Sequence, residues 1–375
     1  MACSHTFLVT GATGAIGRRL VTALTDRTDI DQIYALTHLV PLRECTGRAV
    51  PKHGDVSRDG DLGLTPADAA LLKRTVTGIV HLAADTRFAA PLDELRRTNV
   101  DGITNLLAFA RQCRTLDRIL VLSTTHVAGR RTGVIFEEEL EHDAGFVNAY
   151  EASKYEGEIV LRSKGCDLPV AVCRLSTVVG DSVTGEIARR GAIHHAVLAL
   201  YAGLAPMVPG REDSPVDLLA LDEATAAIAV LATDAFRPAA TWHLCGGQSA
   251  LAAGDLLDLT MAVIHQHRPS WRRRAIERPA FVSLETFELF RHSVDQVGDP
   301  AMRAATSIVA QFAPQLAFPK RFDDRQCRTA LGAAGLRRSP IREVWTQVVK
   351  RLVQARTTVD TTGGAEDVAT AIGRE

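Results

Sequence analysis

The chain has 375 residues, 46% of them apolar and 23% charged, with a formal charge of −1. That length exceeds one ordinary domain, so a large domain with an appended lobe, or two domains, is expected. The near-neutral balance argues against the basic surface that nucleic-acid binding needs. No apolar run approaches the ~20 residues of a membrane span, and the N-terminus enters a strand-like run at once, leaving no room for a secretion signal. Cys3, Cys45, Cys113, Cys166, Cys173, Cys245 and Cys327 contain no Cys-x-x-Cys pair and no zinc spacing. Free thiols in a reducing compartment follow, and a soluble, cytoplasmic, metal-free protein is expected.

Thr6-Phe-Leu-Val-Thr10 is a short strand-forming run, followed at once by Gly11-Ala-Thr13-Gly14-Ala15-Ile16-Gly17 and then Arg18-Arg-Leu-Val-Thr-Ala-Leu at helical spacing. Strand, glycine turn and helix form the setting that a dinucleotide fingerprint requires. Gly11 serves the tight turn, Gly14 close approach to a pyrophosphate, and Gly17 close helix packing, with the free N–H groups of the helix start facing the anion. The second strand ends at Thr37-His38, with Arg43 beyond and Arg18 after the first turn. An NAD-selective site places an acidic residue there; its absence favours NADP(H), with NAD(H) kept open, and makes His38 a candidate for the 2′-phosphate or, equally, an exposed loop residue. Gly54-Asp55-Val56 is a strand-end turn within reach of the adenine. Gly78-Ile-Val-His-Leu82-Ala83-Ala84 is the fourth strand, running into small residues where backbone passes the cofactor. A helix is expected from Thr98, with Asn99 buried beside the cofactor and bonding backbone. Alternating strands and helices predict a parallel sheet covered on both faces.

The run from Arg118 to Gly129 reads as a buried strand opening into a hydroxyl-rich loop, Ser123-Thr124-Thr125-His126. In Asn148-Ala-Tyr150-Glu-Ala-Ser-Lys154 the phenol and the ammonium are four apart, on one helix face. A phenol, which ordinarily titrates at about pH 10, is a poor proton donor near neutrality; a neighbouring ammonium is expected to lower its pKa, and a Ser/Thr hydroxyl to orient a carbonyl oxygen toward it.

Seven blocks in this order carry a resemblance: residues 10–17, Gly54-Asp-Val-Ser with Leu62-Gly-Leu, His81-Leu-Ala-Ala, Asn99-Val-Asp-Gly, Ser123-Thr-Thr-His-Val-Ala-Gly, Tyr150-Glu-Ala-Ser-Lys and Val179-Gly-Asp-Ser-Val-Thr-Gly-Glu186. They resemble an extended short-chain dehydrogenase/reductase, and within that superfamily the thioester-reductase and fatty acyl-CoA reductase ("male sterility") branch. The resemblance spans roughly residues 6–245. It implies an α/β fold, a Rossmann doubly wound parallel sheet with a smaller, helix-rich C-terminal substrate lobe. It implies a nicotinamide cofactor and a Thr124, Tyr150 and Lys154 active site: Tyr150 the proton donor, Lys154 also holding the nicotinamide ribose. A slip of one position to Ser123 or Thr125 is left open. The stretch with Leu175, Ser176 and Val178 is implied to border the nicotinamide. This chain has Leu175 where the family usually has Pro, and His38 where it usually has Arg.

The expected boundaries are an NADP-binding domain over residues 1–185, completed by about 214–248, a substrate-binding lobe over 186–213 and 249–356, and a disordered tail over 357–375. His194 and His195 are expected on a helix surface, residues 216–231 as a strand and helix returning to the sheet, and Arg268, Arg272, Arg273, Arg274 and Arg278 around Trp271 as a solvated basic face, with docking of an acidic carrier or a coenzyme A phosphate as the other reading. The reading that follows is an NADPH-dependent reductase of an acyl thioester or derived aldehyde or ketone, its substrate delivered by coenzyme A or a separate acyl carrier protein. Two others stay open: an NAD-retaining nucleotide-sugar epimerase or dehydratase, and a non-catalytic NADP-sensing protein.

Overall fold

A computed structural model describes residues 4–42, 47–268, 271 and 276–355. Cys3, Arg43, Cys45, Arg272, Arg273, Arg274 and the expected tail lie outside the described residues.

Seven strands form one parallel sheet: β1 (His5–Thr10), β2 (Ile30–Thr37), β3 (Ala49–His53), β4 (Gly78–His81), β5 (Arg118–Thr124), β6 (Val170–Leu175) and β7 (Thr241–Leu244). Their order across the sheet is β7-β6-β5-β4-β1-β2-β3. The order reverses at β1, where the chain leaves the sheet centre for one edge and later returns for the other. In such sheets the crevice at the carboxyl ends of the strands takes the ligand.

The connecting helices are α1 (Ala15–Thr25), α2 (Pro66–Thr75), α3 (Gly102–Ala110), α4 (Ala149–Lys164), α5 (Ala192–Ala202), α6 (Leu221–Ala232), α7 (Ala253–His267), α8 (Leu284–Val297), α9 (Pro300–Phe312), α10 (Arg325–Ala333) and α11 (Ile341–Ala355). Alternation along β1 shows how both faces of the sheet are covered. Phe7 and Val9 join one core with Leu20 and Leu24 of α1 and Ile228 of α6, while Leu8 joins the other with Leu72 of α2, Ile103 of α3 and Leu161 of α4. Successive strand side chains point to opposite faces, and each fully buried one contributes roughly 1.5–3 kcal/mol. A third core, with Trp271, Trp345 and Val348, holds α5, α7 and α11 together beside the sheet.

Three expectations change. The helix leading to Asn99 begins at Leu92 and passes through a π turn over Arg97–Asp101 before α3. The strand Leu218–Ala220 pairs with Thr177–Gly180 in a separate two-stranded sheet, so only the helix after it, α6, packs back onto the main sheet. His194 is buried: its Nδ1 accepts from the Gly191 amide at 2.9 Å and its Nε2 lies 2.6 Å from the Val179 carbonyl. A polar ring that closes the start of α5 and bonds backbone on both sides belongs in the interior.

Of the basic cluster, Trp271 and Arg268 depart from a solvated face, while Arg278 stays exposed. Trp271 is buried and donates to the Tyr201 carbonyl at 2.8 Å, Arg268 donates to Val353 at 3.1 Å, and Arg278 pairs with Asp258 at 2.6 Å and with Glu212. Arg268 is spent on a backbone carbonyl, and Arg278 on exposed ion pairs. Cys173, Cys245 and Cys327 are buried free thiols. Among the described residues no helix is long and apolar enough to cross a membrane, and no cluster of His, Cys, Asp or Glu could hold a metal ion.

Candidate active site

Most of the candidate residues gather along the carboxyl edge of the sheet, at the end of a strand or in the first turns of a helix. β1 runs into the first glycine turn. Gly11 has φ +65°, and a Cβ there would lie 2.6 Å from the Ala83 nitrogen, so the turn after β1 lies directly against the end of β4. A Cβ on Gly17 would lie 2.2 Å from the Gly11 oxygen and 2.8 Å from the Ala12 Cα, which is why α1 starts flush on the turn. Gly14 is the N-cap of α1, with no side-chain cap and no acidic residue in the first turn. The first N–H groups of α1, at Ala15, Ile16 and Gly17, therefore lack intrahelical acceptors, and the helix end carries partial positive charge with no carboxylate answering it. This is a cradle of the shape and polarity a pyrophosphate requires. Arg18 donates from Nε to the Thr13 carbonyl at 2.9 Å, which braces the turn.

Gly17→Ala is expected to cost about 1–3 kcal/mol of stability, because both obstructing atoms are backbone and cannot turn aside, and to abolish dinucleotide binding. Urea denaturation and dinucleotide fluorescence would check both; unchanged binding would contradict the cradle.

At the edge of this crevice His38 follows β2. Its Nδ1 lies 3.9 Å from Asp55, and its ring stacks at 6.3 Å on His53. Burial pushes the Asp55 carboxyl upward, but the Ser57 hydroxyl and amide, then His38 and Arg58, hold it below the usual range. At β4 the Thr10 hydroxyl accepts from the Ala83 amide at 3.2 Å and meets His81 Nδ1 at 2.8 Å. Burial, then the Lys154 charge, press His81 down to about 3, so it stays neutral. Asn99 accepts from the Asp85 amide and donates to the Asp85 carbonyl and to Ser153, all at 2.9 Å. Its role is to hold the loop after Leu82, Ala83 and Ala84 against α4.

The three hydroxyls at the end of β5 separate. Ser123 donates to Glu158, Thr125 is buried without a hydrogen-bond partner among the described residues, and Thr124 hydrogen-bonds the Tyr150 phenol. Tyr150 and Lys154 lie on α4, whose start is capped by Asn148 Oδ1 accepting from the Glu151 amide at 3.0 Å. Lys154 is buried and donates to the Leu122 carbonyl at 2.9 Å. Burial lowers its ammonium to about 8, against the upward pull of Glu158.

The expected lowering of the Tyr150 pKa is not what the structure has. Burial pushes the phenol up to about 12, the Thr124 hydrogen bond pulls it back only in part, and the Glu151 charge adds to the rise. Desolvation penalises a phenolate more than a single hydroxyl can repay, and the lysine ammonium is directed at Leu122. Tyr150 is therefore a protonated acid throughout the neutral range. Phe88 packs at 5.3 Å against its ring.

Behind Lys154 lies a buried network that none of the sequence motifs announces. Arg174, on β6, donates from Nε to both Glu158 oxygens at 3.0 Å and from Nη2 at 2.8 Å, and from Nη1 to the Glu139 carbonyl at 2.7 Å and toward His243 Nε2 at 3.1 Å. A signal for Glu158 is present all the same: it stands one turn after Lys154 on the same helix face. Leu175 is buried next to Arg174, Ser176 donates its amide to the Leu244 carbonyl at 3.1 Å, and Val178 lies on the strand Thr177–Gly180.

The profile of the family described as "Male sterility protein" matches residues 38–228, more than half of the chain. A hybrid PKS-NRPS synthetase of Xenoacremonium sinensis is 27% identical over 241 residues, 60% of this chain and 6% of the relative. A carboxylic acid reductase of Segniliparus rugosus is 31% identical over 198 residues, 48% of this chain and 16% of the relative. The chain thus spans less than a fifth of the length of either curated relative. Among solved structures, the terminal R domain from the myxalamid PKS-NRPS biosynthetic pathway superposes with a TM-score of 0.75 at 23% identity, over 95% of this chain and 92% of that one; at that identity the likeness speaks for the fold. The chain belongs to the male sterility protein family.

Proposed function

We propose that the chain is an NADPH-dependent reductase acting on the carbonyl of an acyl thioester, or of the aldehyde or ketone derived from it. The observation that carries this reading is the meeting of the Thr124 hydroxyl with the protonated Tyr150 phenol, one helical turn from the Lys154 ammonium. Gly11, Gly14 and Gly17, with the N–H groups of Ala15 and Ile16 and the turn residues Thr13 and Arg18, would hold the pyrophosphate. Asp55 and Val56 would face the adenine and His38 the 2′-phosphate, with Leu82, Ala83, Ala84, Leu175, Ser176, Val178 and Lys154 around the nicotinamide riboside and Asn99 bracing the loop. The bound nicotinamide supplies the hydride.

Thr124 and Tyr150 bind the carbonyl oxygen, and Tyr150 passes its proton to that oxygen as negative charge grows there. Lys154, held by Leu122, keeps a positive charge near the phenolate left behind. From a thioester this gives a hemithioacetal, which expels the thiol and leaves an aldehyde; a second round gives the alcohol. The acyl group would arrive on coenzyme A or a carrier protein, a reading supported by relatives that are themselves multidomain synthetases.

The test is a panel of acyl-CoA thioesters, long-chain aldehydes and ketones followed by NADPH absorbance. Consumption of NADPH with at least one of them, preferred over NADH, is expected. Protein that retains NAD through desalting and turns over none of them would overturn the reading in favour of an epimerase.

A further inference from the structure

The C-terminal lobe reaches back into the active site through one buried lysine. The strand Lys320–Phe322 pairs in parallel with Gly133–Ile135, which sets Lys320 opposite Gly133. Its ammonium donates to the Gly129 carbonyl and to Gln315 Oε1, the latter at 2.6 Å. The other end of the same amide, Gln315 Nε2, donates to Glu151. Glu151, itself buried, accepts from the Val147 amide at 2.9 Å, and Asn148 donates to the Gln311 carbonyl at 3.4 Å.

Each end of this relay touches a residue next to the reacting groups. Gly129 closes the single turn Thr125–Ala128 that directly follows Thr124. A Cβ on Gly129 would lie 2.1 Å from the Gly145 oxygen, so this backbone has no room to drift. Glu151 follows Tyr150 in the first turn of α4, and its charge acts on the phenol.

We propose that Lys320, acting through Gln315 and Glu151, is a positioning residue that clasps the loop carrying Thr124 to the helix start carrying Tyr150, so that the two hydroxyls meet at one carbonyl oxygen. The proposal rests on the reductase reading above.

The arrangement is costly as mere packing. A buried ammonium loses its hydration, and burial lowers Lys320 to about 8 against the pull of Glu151. Arg131 opposes the same charge, His126 is pressed down to about 4 by burial and by Lys320, and the Arg130 guanidinium and the Lys320 ammonium both lie 5.9 Å from the Phe318 ring centroid. Arg131 is answered by Glu139, and Glu151 is the carboxylate on which Lys320 and Arg130 act, so an apolar residue at 320 would satisfy packing without this crowding. What the ammonium supplies and a methylene chain does not is directed bonding to two segments at once. Misplacement of a reacting group by about 1 Å costs roughly 100-fold in rate, so a small release of either segment is enough to register.

The test compares wild type with Lys320→Met, Glu151→Gln and the double variant. The expected result for Lys320→Met is a kcat lowered roughly 10–100-fold, an unchanged KM for NADPH, and faster hydrogen exchange at the Val147 and Glu151 amides. In the double variant the losses should not add, since either change cuts the same relay. Should Lys320→Met fail to fold, Gln315→Leu cuts the relay without removing a charge and is expected to give the same pattern. Additive losses, an effect confined to melting temperature, or unchanged exchange at those two amides would overturn the clasp. If wild type reduces no carbonyl substrate, the reductase reading fails, while the exchange comparison still decides whether the clasp holds the two segments.

Discussion

Tyr150→Phe is expected to lower kcat by roughly 10²–10⁴-fold, the contribution of a positioned general acid, with dinucleotide affinity nearly unchanged. The variant removes one oxygen and leaves the ring against Phe88. What is lost is the proposed acid, while Thr124, held in place by accepting from the His126 amide at 3.2 Å, keeps its own hydroxyl proton to bind the carbonyl oxygen. Because burial holds the phenol up to about 12, it carries its proton across the neutral range, so the loss should be the same from pH 6 to pH 7, below the value of about 8 at which Lys154 gives up its charge. Lys154→Ala, by contrast, should weaken dinucleotide binding as well as turnover, because the ammonium serves both. Steady-state kinetics beside a binding titration separates the two patterns. Wild-type kcat in Tyr150→Phe would remove the proposed acid.

Arg174→Ala is expected to cost about 3–5 kcal/mol of stability, the range for stranding one partner of a buried ion pair. Arg174 and Glu158 are each almost wholly buried, at 1% and 3% side-chain exposure. Without the guanidinium, the Ser123 hydroxyl is the one hydrogen-bond partner left to Glu158 among the described residues, and the Glu137 and Glu139 carbonyls and His243 lose their shared donor. Removing both charges, in Arg174→Met with Glu158→Met, should recover part of the loss, since the uncompensated carboxylate is then gone. Denaturant unfolding would measure both. A double variant no more stable than Arg174→Ala would show that the carbonyls, and not the stranded carboxylate, dominate. The same network stands behind Lys154, through the pull of Glu158 on its ammonium, so a destabilised Arg174 variant should also bind dinucleotide less well.

The sequence by itself determined whatever depends on near neighbours in the chain. Strand, glycine turn and helix over residues 5–25 follow from β propensity, the freedom of glycine and helical spacing, all local properties. The shared face of Tyr150 and Lys154 follows from helix geometry alone. The same logic located Asn99 inside, although the helix before it begins earlier than expected, since neither Leu92 nor the π turn announces itself in the pattern of apolar residues.

The tertiary structure decided which hydroxyl faces the phenol and in what state the phenol is kept. Ser123, Thr124 and Thr125 are interchangeable by composition; only the packing of α4 against the end of β5 sends one to Glu158, one to Tyr150 and leaves one without a hydrogen-bond partner among the described residues. The direction of the Tyr150 shift was decided in the same way. A lysine four residues away is a sequence fact, but the desolvation that outweighs it comes from everything packed around the oxygen. Lys320 makes the point most plainly, for it bonds Gly129 across 191 residues of chain. Spacing rules reach one or two helical turns, whereas burial and charge compensation are properties of the space around a group, and segments from anywhere in the chain fill that space.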